Sequence, residues 1–361
     1  MTEHVHISTE NQIGCITLDR PKALNSLSLQ MIRSITETLL AWCTDADIRA
    51  VLIRSSSEKA FCAGGDIRFF YDVGAATPRG GSALLEDFFT EEYALNHLIH
   101  RYPKPYIALM DGVVMGGGMG VAQAGPASRL RIVTERTKMA MPEVNIGLFP
   151  DVGGGYFLSR CPGQLGTYLG VTGEIITAAD ALYAGLADFF VPSAQLPLLT
   201  EMLLCGDDIE VRTAICDFAD GFDIAPEASM LATDRTAIDR HFAQDTVPAI
   251  IESLALDDSP FAQKTLAVMQ KCSPLMMCVT LEQIRRSTAL SVADCLRMER
   301  SMVRHCFEHG EVMEGVRALV VDKDNAPQWN PATLADVTPD MIAGFFAPAW
   351  PPHAHPLRSL D

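Results

Sequence analysis

The stretch Tyr106-Ile-Ala-Leu-Met-Asp-Gly-Val-Val-Met-Gly-Gly-Gly-Met-Gly120 joins an apolar run to a glycine-rich turn. The run Tyr106–Leu109 is short and continuously apolar, which is typical of a buried β-strand. Glycines 116–118 and Gly120 let the backbone turn sharply and approach a neighbouring group closely. The stretch therefore predicts a strand that ends in a tight turn, from which a helix begins.

The segments on either side repeat this alternation of strand and helix. Strands are predicted at Val5–Ile7, Ile13–Leu18, Ala50–Ile53, Arg129–Val133 and Lys138–Met141, and helices at Ser28–Cys43 and Ser82–Arg101. Strands that alternate with helices predict an α/β fold class. From about Leu196 onward the spacing is helical, with predicted helices at Leu281–Ser287, Val292–His309 and Glu314–Val321. The Gly-Asp-Asp sequence at 206–208 is a predicted boundary, and the proline-rich tail Pro348–Pro356 is predicted to be irregular.

Composition and charge exclude several classes of function. The chain has 361 residues and a formal net charge of −17, which opposes broad binding to nucleic acid or to an anionic membrane. Its ten cysteines include no C-x-x-C pair, and the carboxylates lack partners at metal-ligand spacing, so no metal is expected. No apolar stretch is long enough to span a bilayer and no targeting leader is visible, so a cytoplasmic location is expected.

Two carboxylates lie in an otherwise apolar or glycine-rich loop, Met141-Pro-Glu-Val-Asn-Ile-Gly-Leu-Phe-Pro-Asp-Val-Gly-Gly-Gly155. An ionised carboxylate in apolar surroundings is unfavourable unless it is paired, and its pKa rises toward the range useful for proton transfer. Glu143 and Asp151 are therefore candidate acid, base or nucleophilic groups. For Asp151 the alternative is the N-cap of a helix over Val152–Arg160, and capping is also the alternative for Glu143.

A third carboxylate, Glu92, falls on the predicted buried face of the helix Ser82–Arg101. At 100° per residue that face contains Leu84, Leu85, Phe88, Phe89, Leu95, Leu98 and Ile99. A carboxylate on this side needs a partner, so Glu92 is predicted either to contact substrate or to pair with an arginine.

Two glycine loops each follow a predicted strand, in Ala60-Phe-Cys-Ala-Gly-Gly-Asp-Ile-Arg68 and in the segment 111–120. Their amides together could form an oxyanion hole, although a glycine loop taken singly is more often a structural turn. The second loop does not match the dinucleotide fingerprint G-x-G-x-x-G, because its sixth position is Val121. A P-loop, a G-x-S-x-G elbow and an H-E-x-x-H motif are also missing from the sequence.

These residues resemble the crotonase (enoyl-CoA hydratase/isomerase) superfamily, and most closely its thioester-hydrolase branch. The similarity covers Ala60–Arg68, Glu91–Asn96, Pro105–Gly120, Ala140–Arg160 and Glu314–Pro331. It implies a spiral of ββα units, with an acyl-CoA-binding catalytic core over residues 1–200 and a helical C-terminal region over 201–361.

The resemblance also assigns roles to residues. It implies that the amides of Gly65 and Gly117 hold the thioester oxygen, that Glu143 and Asp151 are the two catalytic carboxylates, and that Glu92 contacts substrate. Gly120 stands where the hydratases have one of two catalytic glutamates, and Asp151 stands where they have glycine. Both departures favour a hydrolase.

The expected function is hydrolysis of a short β-hydroxyacyl-CoA thioester, as in valine breakdown. Glu143 would act as nucleophile or as general base, with Asp151 orienting the substrate hydroxyl or water and helping to protonate the leaving thiolate. The alternatives are an enoyl-CoA hydratase or isomerase and a non-catalytic acyl-CoA-binding subunit.

No cofactor is expected beyond the coenzyme A of the substrate. Candidates for binding its phosphates are Lys22, Arg68 and Lys104. The sequence does not identify the acyl group, and both 3-hydroxyisobutyryl and 3-hydroxypropionyl are compatible with it. It also leaves the oligomeric state undecided, and a homo-oligomer is compatible with it.

Overall fold

The computed structural model describes residues 3–77, 81–205, 210–225 and 228–361, which fall into two compact units. The first unit comprises Met1–Gly65, Ala94–Ala140 and Ile175–Ala232, and the second comprises Asp66–Tyr93, Met141–Glu174 and Thr233–Asp361. The predicted boundary at 206–208 lies outside the described residues. The division of the chain at residue 200 stays a prediction.

The first unit contains two β-sheets. Their strands are β1 (Val5–Glu10), β2 (Ile13–Leu18), β3 (Ala50–Ser55), β4 (Ala60–Cys62), β5 (Tyr106–Met110), β6 (Val113–Met115), β7 (Arg129–Val133), β8 (Lys138–Ala140) and β9 (Phe189–Phe190). The larger sheet has the order β1-β2-β3-β5-β7-β9 and the smaller has the order β4-β6-β8. Only β1 and β2 pair antiparallel among these strands, with Val5 opposite Leu18, and the other pairs are parallel.

Helices account for most of the remaining described chain. They are α1 (Leu29–Thr44), α2 (Ile67–Ala76), α3 (Ala83–His100), α4 (Gly117–Ala122), α5 (Gly154–Leu158), α6 (Leu165–Thr172), α7 (Ala178–Tyr183), α8 (Leu196–Cys205), α9 (Val211–Ala219), α10 (Met230–Thr233), α11 (Arg235–Phe242), α12 (Val247–Ala255), α13 (Pro260–Met269), α14 (Pro274–Ser287), α15 (Val292–His309), α16 (Glu311–Val316) and α17 (Pro339–Phe345).

The chain order repeats a strand of the larger sheet, a strand of the smaller sheet and then a helix. This ββα sequence occurs as β3-β4-α2 and again as β5-β6-α4. All five residues of β5 are buried, as expected for a parallel strand that is covered on both faces. The predicted α/β fold of ββα units with a helical C-terminal region is therefore confirmed.

The core of the first unit lies between the larger sheet and helices α8 and α9. Inward-facing residues of β2, β3, β5 and β7 pack there against apolar side chains of the two helices. Ile13, Leu52 and Ile107 are fully buried from the sheet, and Leu199 and Ile215 are fully buried from the helices. Burial of this apolar surface is the main force that holds the layers together.

The second unit is helical, and α6 lies at its centre. Every residue of α6 is buried, which is typical of a helix that is surrounded by others. Gly170 allows α14 to pack closely, because a Cβ at this position would come within 2.7 Å of Cδ1 of Ile284. Phe70, Phe88 and Phe89 form an aromatic cluster with their ring centroids 4.8–5.4 Å apart.

Most predicted elements are present within one to three residues of their expected bounds. The exception in the burial pattern is Leu84, which was predicted on the buried face of its helix and is 50% exposed. It lies in the first turn of α3. Within the described residues, no helix combines the length and apolar character that a bilayer crossing requires.

Candidate active site

The two glycine corners predicted to form an oxyanion hole both belong to the first unit, after β4 and β6. Gly64 has φ +102°, and a Cβ built on it would lie 3.1 Å from the carbonyl oxygen of Met115 and 3.4 Å from the amide nitrogen of Gly117. Gly118 is tighter still, since its Cβ would meet the carbonyl oxygen of Cys62 at 2.1 Å. The two backbones can approach this closely only because glycine occupies both positions.

Gly117 is the first residue of α4, and the first amides of a helix have no acceptor within the helix. Gly65 follows directly on Gly64, beside the N-terminus of α2. The two glycine loops that the sequence predicted to act together therefore lie side by side in the structure. Their role as an oxyanion hole stays a prediction.

The three predicted carboxylates, Glu92, Glu143 and Asp151, all belong to the second unit. Each is buried, with exposed fractions of 2%, 5% and 5%. Glu92 lies on α3, Glu143 begins a short 3₁₀ helix over Glu143–Ile146, and Asp151 lies in the turn before α5. The negative charge of Asp151 raises the pKa of both glutamates, so the three groups titrate as one cluster.

Burial is the largest cause that raises the pKa of Glu143 well above its usual range, followed by the charge of Asp151. Its Oε2 atom is buried and accepts no hydrogen bond from any described residue. The short helix that begins at Glu143 has Pro142 at its N-cap and no side-chain cap. Glu143 is therefore a buried acid that holds its proton to unusually high pH.

Asp151 does not cap a helix, which overturns the alternative interpretation of this residue. Helix α5 begins at Gly154. Its N-cap residue is Gly153, so the helix has no side-chain cap. The Oδ2 atom of Asp151 instead accepts a hydrogen bond of 2.7 Å from the Tyr93 hydroxyl. Burial raises the pKa of Asp151 to about 6, and the Tyr93 hydrogen bond opposes this rise. Asp151 is therefore the stronger acid of the pair.

Glu92 forms no ion pair with an arginine within the described part of the chain, and its Oε1 atom is buried without a hydrogen-bond donor. Burial, and then the charge of Asp151, raise the pKa of Glu92 well above its usual range. A neutral carboxyl group can donate as well as accept a hydrogen bond. Glu92 is thus suited to a polar, uncharged group of a ligand.

Three buried polar residues around Asp151 were not identified by the sequence analysis: Tyr93, Gln283 and Glu299. Glu299 shows the same signal that revealed Glu92. It lies on the apolar stripe of α15, at helical spacing from Leu296 and Met302, which are buried with it. Applying the buried-carboxylate criterion to that helix would have found it.

The predicted phosphate-binding residues are cationic side chains, and the structure shows the partners of two of them. Arg68 pairs with Asp72 at 3.0 Å, with both side chains about half exposed. The Lys104 ammonium donates to the carbonyl oxygens of Trp42 and Asp45. Among the described residues, no three His, Cys, Asp or Glu side chains are placed to hold a metal ion. The assignment of Lys22, Arg68 and Lys104 to coenzyme A stays a prediction.

Comparison with known sequences defines the class of protein. The sequence profile of the enoyl-CoA hydratase/isomerase family matches residues 13–346, so the chain belongs to this family. A curated relative, the mitochondrial 3-hydroxyisobutyryl-CoA hydrolase of Xenopus tropicalis, is 42% identical over 338 residues, which are 92% of this chain and 86% of that protein.

Two solved structures are similar over almost the whole length. The crystal structure of a carnitinyl-CoA dehydratase from Mycobacterium thermoresistibile is 41% identical with a TM-score of 0.89, covering 97% of this chain and 98% of that one. An enoyl-CoA hydratase from Rhodobacter sphaeroides is 36% identical with a TM-score of 0.86, covering 96% and 98%. The similarity to both structures includes the helical C-terminal region.

Proposed function

We propose that this protein hydrolyses a short β-hydroxyacyl-CoA thioester to the free acid and coenzyme A, as a hydrolase of the 3-hydroxyisobutyryl-CoA type. The observation that carries the proposal is the buried pair Glu143 and Asp151, in which Asp151 Oδ2 accepts from the Tyr93 hydroxyl while Glu143 Oε2 has no hydrogen-bond donor among the described residues. Such a pair offers a proton acceptor and a proton donor at the same pH. The curated relative from Xenopus tropicalis carries the name of this activity.

The reaction needs one proton accepted and one donated. Ionised Asp151 takes a proton from the attacking water, whose oxygen forms a bond to the thioester carbonyl carbon. The amides of Gly65 and Gly117 donate hydrogen bonds to the carbonyl oxygen as it becomes negative. When the carbon–sulfur bond breaks, the proton on Glu143 passes to sulfur and gives the free thiol. A proton transfer from Asp151 back to Glu143 restores the starting state.

This assignment exchanges the roles expected from the resemblance, in which Glu143 was the base or nucleophile. The reason is the Tyr93 hydroxyl, which stabilises the charged form of Asp151, together with burial, which favours the protonated form of Glu143. Neutral Glu92 is proposed to bind the β-hydroxyl group of the acyl chain. No cofactor is needed for these steps other than the coenzyme A of the substrate.

The second candidate is an enoyl-CoA hydratase or dehydratase, because the two similar structures are described in those terms. Against it stands Gly120, which occupies the position where the resemblance places a second catalytic glutamate in hydratases. A glycine can neither accept nor donate the proton that addition of water across a double bond requires. The decrease in absorbance of the conjugated double bond of crotonyl-CoA measures this activity directly.

The deciding experiment is a free-thiol release assay over short acyl-CoAs with and without a β-hydroxyl. We expect the β-hydroxy thioesters to be hydrolysed fastest, and Glu143→Gln and Asp151→Asn each to lower turnover by roughly 10²–10⁴. Near-normal turnover in a folded Glu143→Gln variant would reject the assignment. Measurable coenzyme A binding without turnover on any substrate would instead favour a non-catalytic acyl-CoA-binding subunit.

We propose a cytoplasmic location, as expected above, whereas the curated relatives are named mitochondrial. Fractionation of cells that produce the full-length protein would decide between them. A homo-oligomer is likewise a proposal, and light scattering of the purified protein tests it.

A further inference from the structure

We propose that Glu299 is a positioning residue, which together with Gln283 clamps the backbone turn that carries Asp151 and so fixes the catalytic carboxylate. The inference rests on the proposed function, because it gives Asp151 its importance. Both clamping residues belong to the helical second unit, Gln283 on α14 and Glu299 on α15.

The clamp holds the main chain on both sides of Asp151. On the C-terminal side, Glu299 Oε2 accepts a hydrogen bond of 2.8 Å from the Gly153 amide, and Oε1 accepts one of 3.0 Å from the Gly155 amide. On the N-terminal side, Gln283 Nε2 donates to the Pro150 carbonyl oxygen at 2.7 Å. The same Nε2 donates to Glu299 Oε1 at 3.1 Å and joins the two halves.

The turn needs such support because its backbone is strained. Val152, directly after Asp151, has φ +52°, which is rare for a β-branched residue, and Gly153 follows with φ +86°. Strain of this kind amounts to roughly 1–3 kcal/mol per residue and persists only when the surroundings fix the conformation. Because strained backbone concentrates at functional sites, its position beside a catalytic carboxylate is informative.

The shape of the clamp admits few other side chains. Glu299 is completely buried, and a carboxylate is the side chain that offers two acceptor oxygens to two neighbouring amides. A Cβ on Gly155 would lie 2.5 Å from Ser287 Oγ and 3.1 Å from both Gln283 Nε2 and Glu299 Oε1. The turn and the clamp therefore fit each other only with glycine at position 155.

The electrostatics agree with this arrangement. Burial and the charge of Asp151 raise the pKa of Glu299, and the hydrogen bonds from Gly153, Gly155 and Gln283 lower it, which leaves the pKa at about 8. The other titratable groups that sense Glu299 are Glu143, Tyr93 and Cys295. The three N–H donors that face its oxygens favour the ionised form of Glu299, and burial and the charge of Asp151 oppose it.

The test replaces Glu299 by glutamine in the full-length protein, alone and combined with Asp151→Asn. In Glu299→Gln the amide NH₂ faces one of the two glycine N–H groups, so the clamp opens at one end. We expect kcat to fall about 10–100-fold with KM changed less than about threefold, because a displacement of the order of 1 Å costs about 10²-fold. In the Asp151→Asn background the same change should have no further effect on kcat, since Glu299 acts through Asp151.

A matched control is Asp180→Asn in the first unit, another buried carboxylate that accepts backbone amides, from Thr177 and Leu231. It should lower stability without lowering kcat. Equal losses of kcat from Glu299→Gln in both backgrounds, or no loss in either, would overturn the proposal. If Glu299→Gln does not fold, Gln283→Met opens the other end of the clamp and is expected to give the same pattern.

A second readout does not depend on turnover. Hydrogen–deuterium exchange should speed up in the peptide that contains Gly153 and Gly155 in Glu299→Gln, and stay unchanged there in Asp180→Asn. Unchanged exchange in that peptide would refute the clamp itself. Faster exchange in a protein without thioesterase activity would keep the clamp and reject the proposed function.

Discussion

The hydroxyl of Tyr93 donates a hydrogen bond of 2.7 Å to Oδ2 of Asp151, and both side chains are buried. Among the described residues, none donates a hydrogen bond to the buried Oε2 of Glu143. The pair of carboxyl groups therefore differs in acidity although both are removed from water. This contact favours the negative charge on Asp151 over Glu143.

Replacing Tyr93 by phenylalanine should weaken the enzyme most at low pH. The hydrogen bond stabilises ionised Asp151, so its loss raises the Asp151 pKa above about 6 and moves the acidic limb of the kcat/KM profile to higher pH. Hydrogen bonds to charged groups contribute about 1.5–3 kcal/mol, which corresponds to roughly a tenfold or larger loss below pH 6. Tyr102→Phe, which removes another buried hydroxyl, bound to the Leu39 carbonyl, is the control. An unmoved acidic limb would exclude Asp151 as the base.

Glu143→Gln and Asp151→Asn should remove opposite limbs of the pH profile. Activity requires ionised Asp151 and protonated Glu143, so the rate rises as pH passes about 6 and falls as it passes the raised Glu143 pKa. The residual activity of Glu143→Gln should keep the acidic limb and lose the basic one. The residual activity of Asp151→Asn should show the reverse. If the two variants lose the same limb, the acid and base assignments are wrong.

Gly147 and Gly310 offer a matched pair for backbone stability. Both have positive φ, +70° and +95°, but a Cβ on Gly147 would lie 2.3 Å from the Glu311 carbonyl oxygen, whereas nothing lies within 4 Å of one on Gly310. Gly310→Ala should lower the free energy of unfolding by about 1–2 kcal/mol through strain alone. Gly147→Ala adds a clash and should cost roughly 3 kcal/mol or more. Denaturant unfolding measures both, and equal losses would contradict the close packing of this turn.

The stability of the protein should decline as pH rises toward 8. Burial raises the pKa of Glu299 to about 8 in the folded protein, so the folded chain keeps a proton that the unfolded chain releases near its ordinary value of 4.5. Between these values stability falls with pH by up to about 1.4 kcal/mol per pH unit for this group. Glu299→Gln should therefore flatten the pH dependence of the free energy of unfolding. Parallel curves for the two proteins would show that Glu299 does not titrate in this range.

Much of the fold could be predicted from the sequence because its signals are local. The apolar run of β5, the alternation in β1 and β2 and the helical spacing of α15 each depend on neighbours within a few residues. The same is true of the glycines at 116–118, which mark a turn wherever they occur. Glu92 was found because a carboxylate interrupts an apolar stripe on a single helix.

The sequence alone could not decide between a catalytic role and a cap for Asp151. Capping depends on where α5 begins, and the amides of Gly153 and Gly155 at the start of that helix donate to Glu299, 146 and 144 residues further along the chain. Contacts over such a separation leave no local pattern. The burial of Leu84 was wrongly predicted for a similar reason, since the covering of the first turn of a helix depends on what packs against it.

The sequence by itself determined which elements form and which acidic residues lie among apolar ones, because periodicity and burial of single side chains are written in adjacent residues. Only the tertiary structure decided how those acids differ. It supplied the Tyr93 hydroxyl to Asp151 and no described donor to Oε2 of Glu143. Acidity in a buried site depends on the donors that folding brings within hydrogen-bond distance, and those donors come from distant parts of the chain.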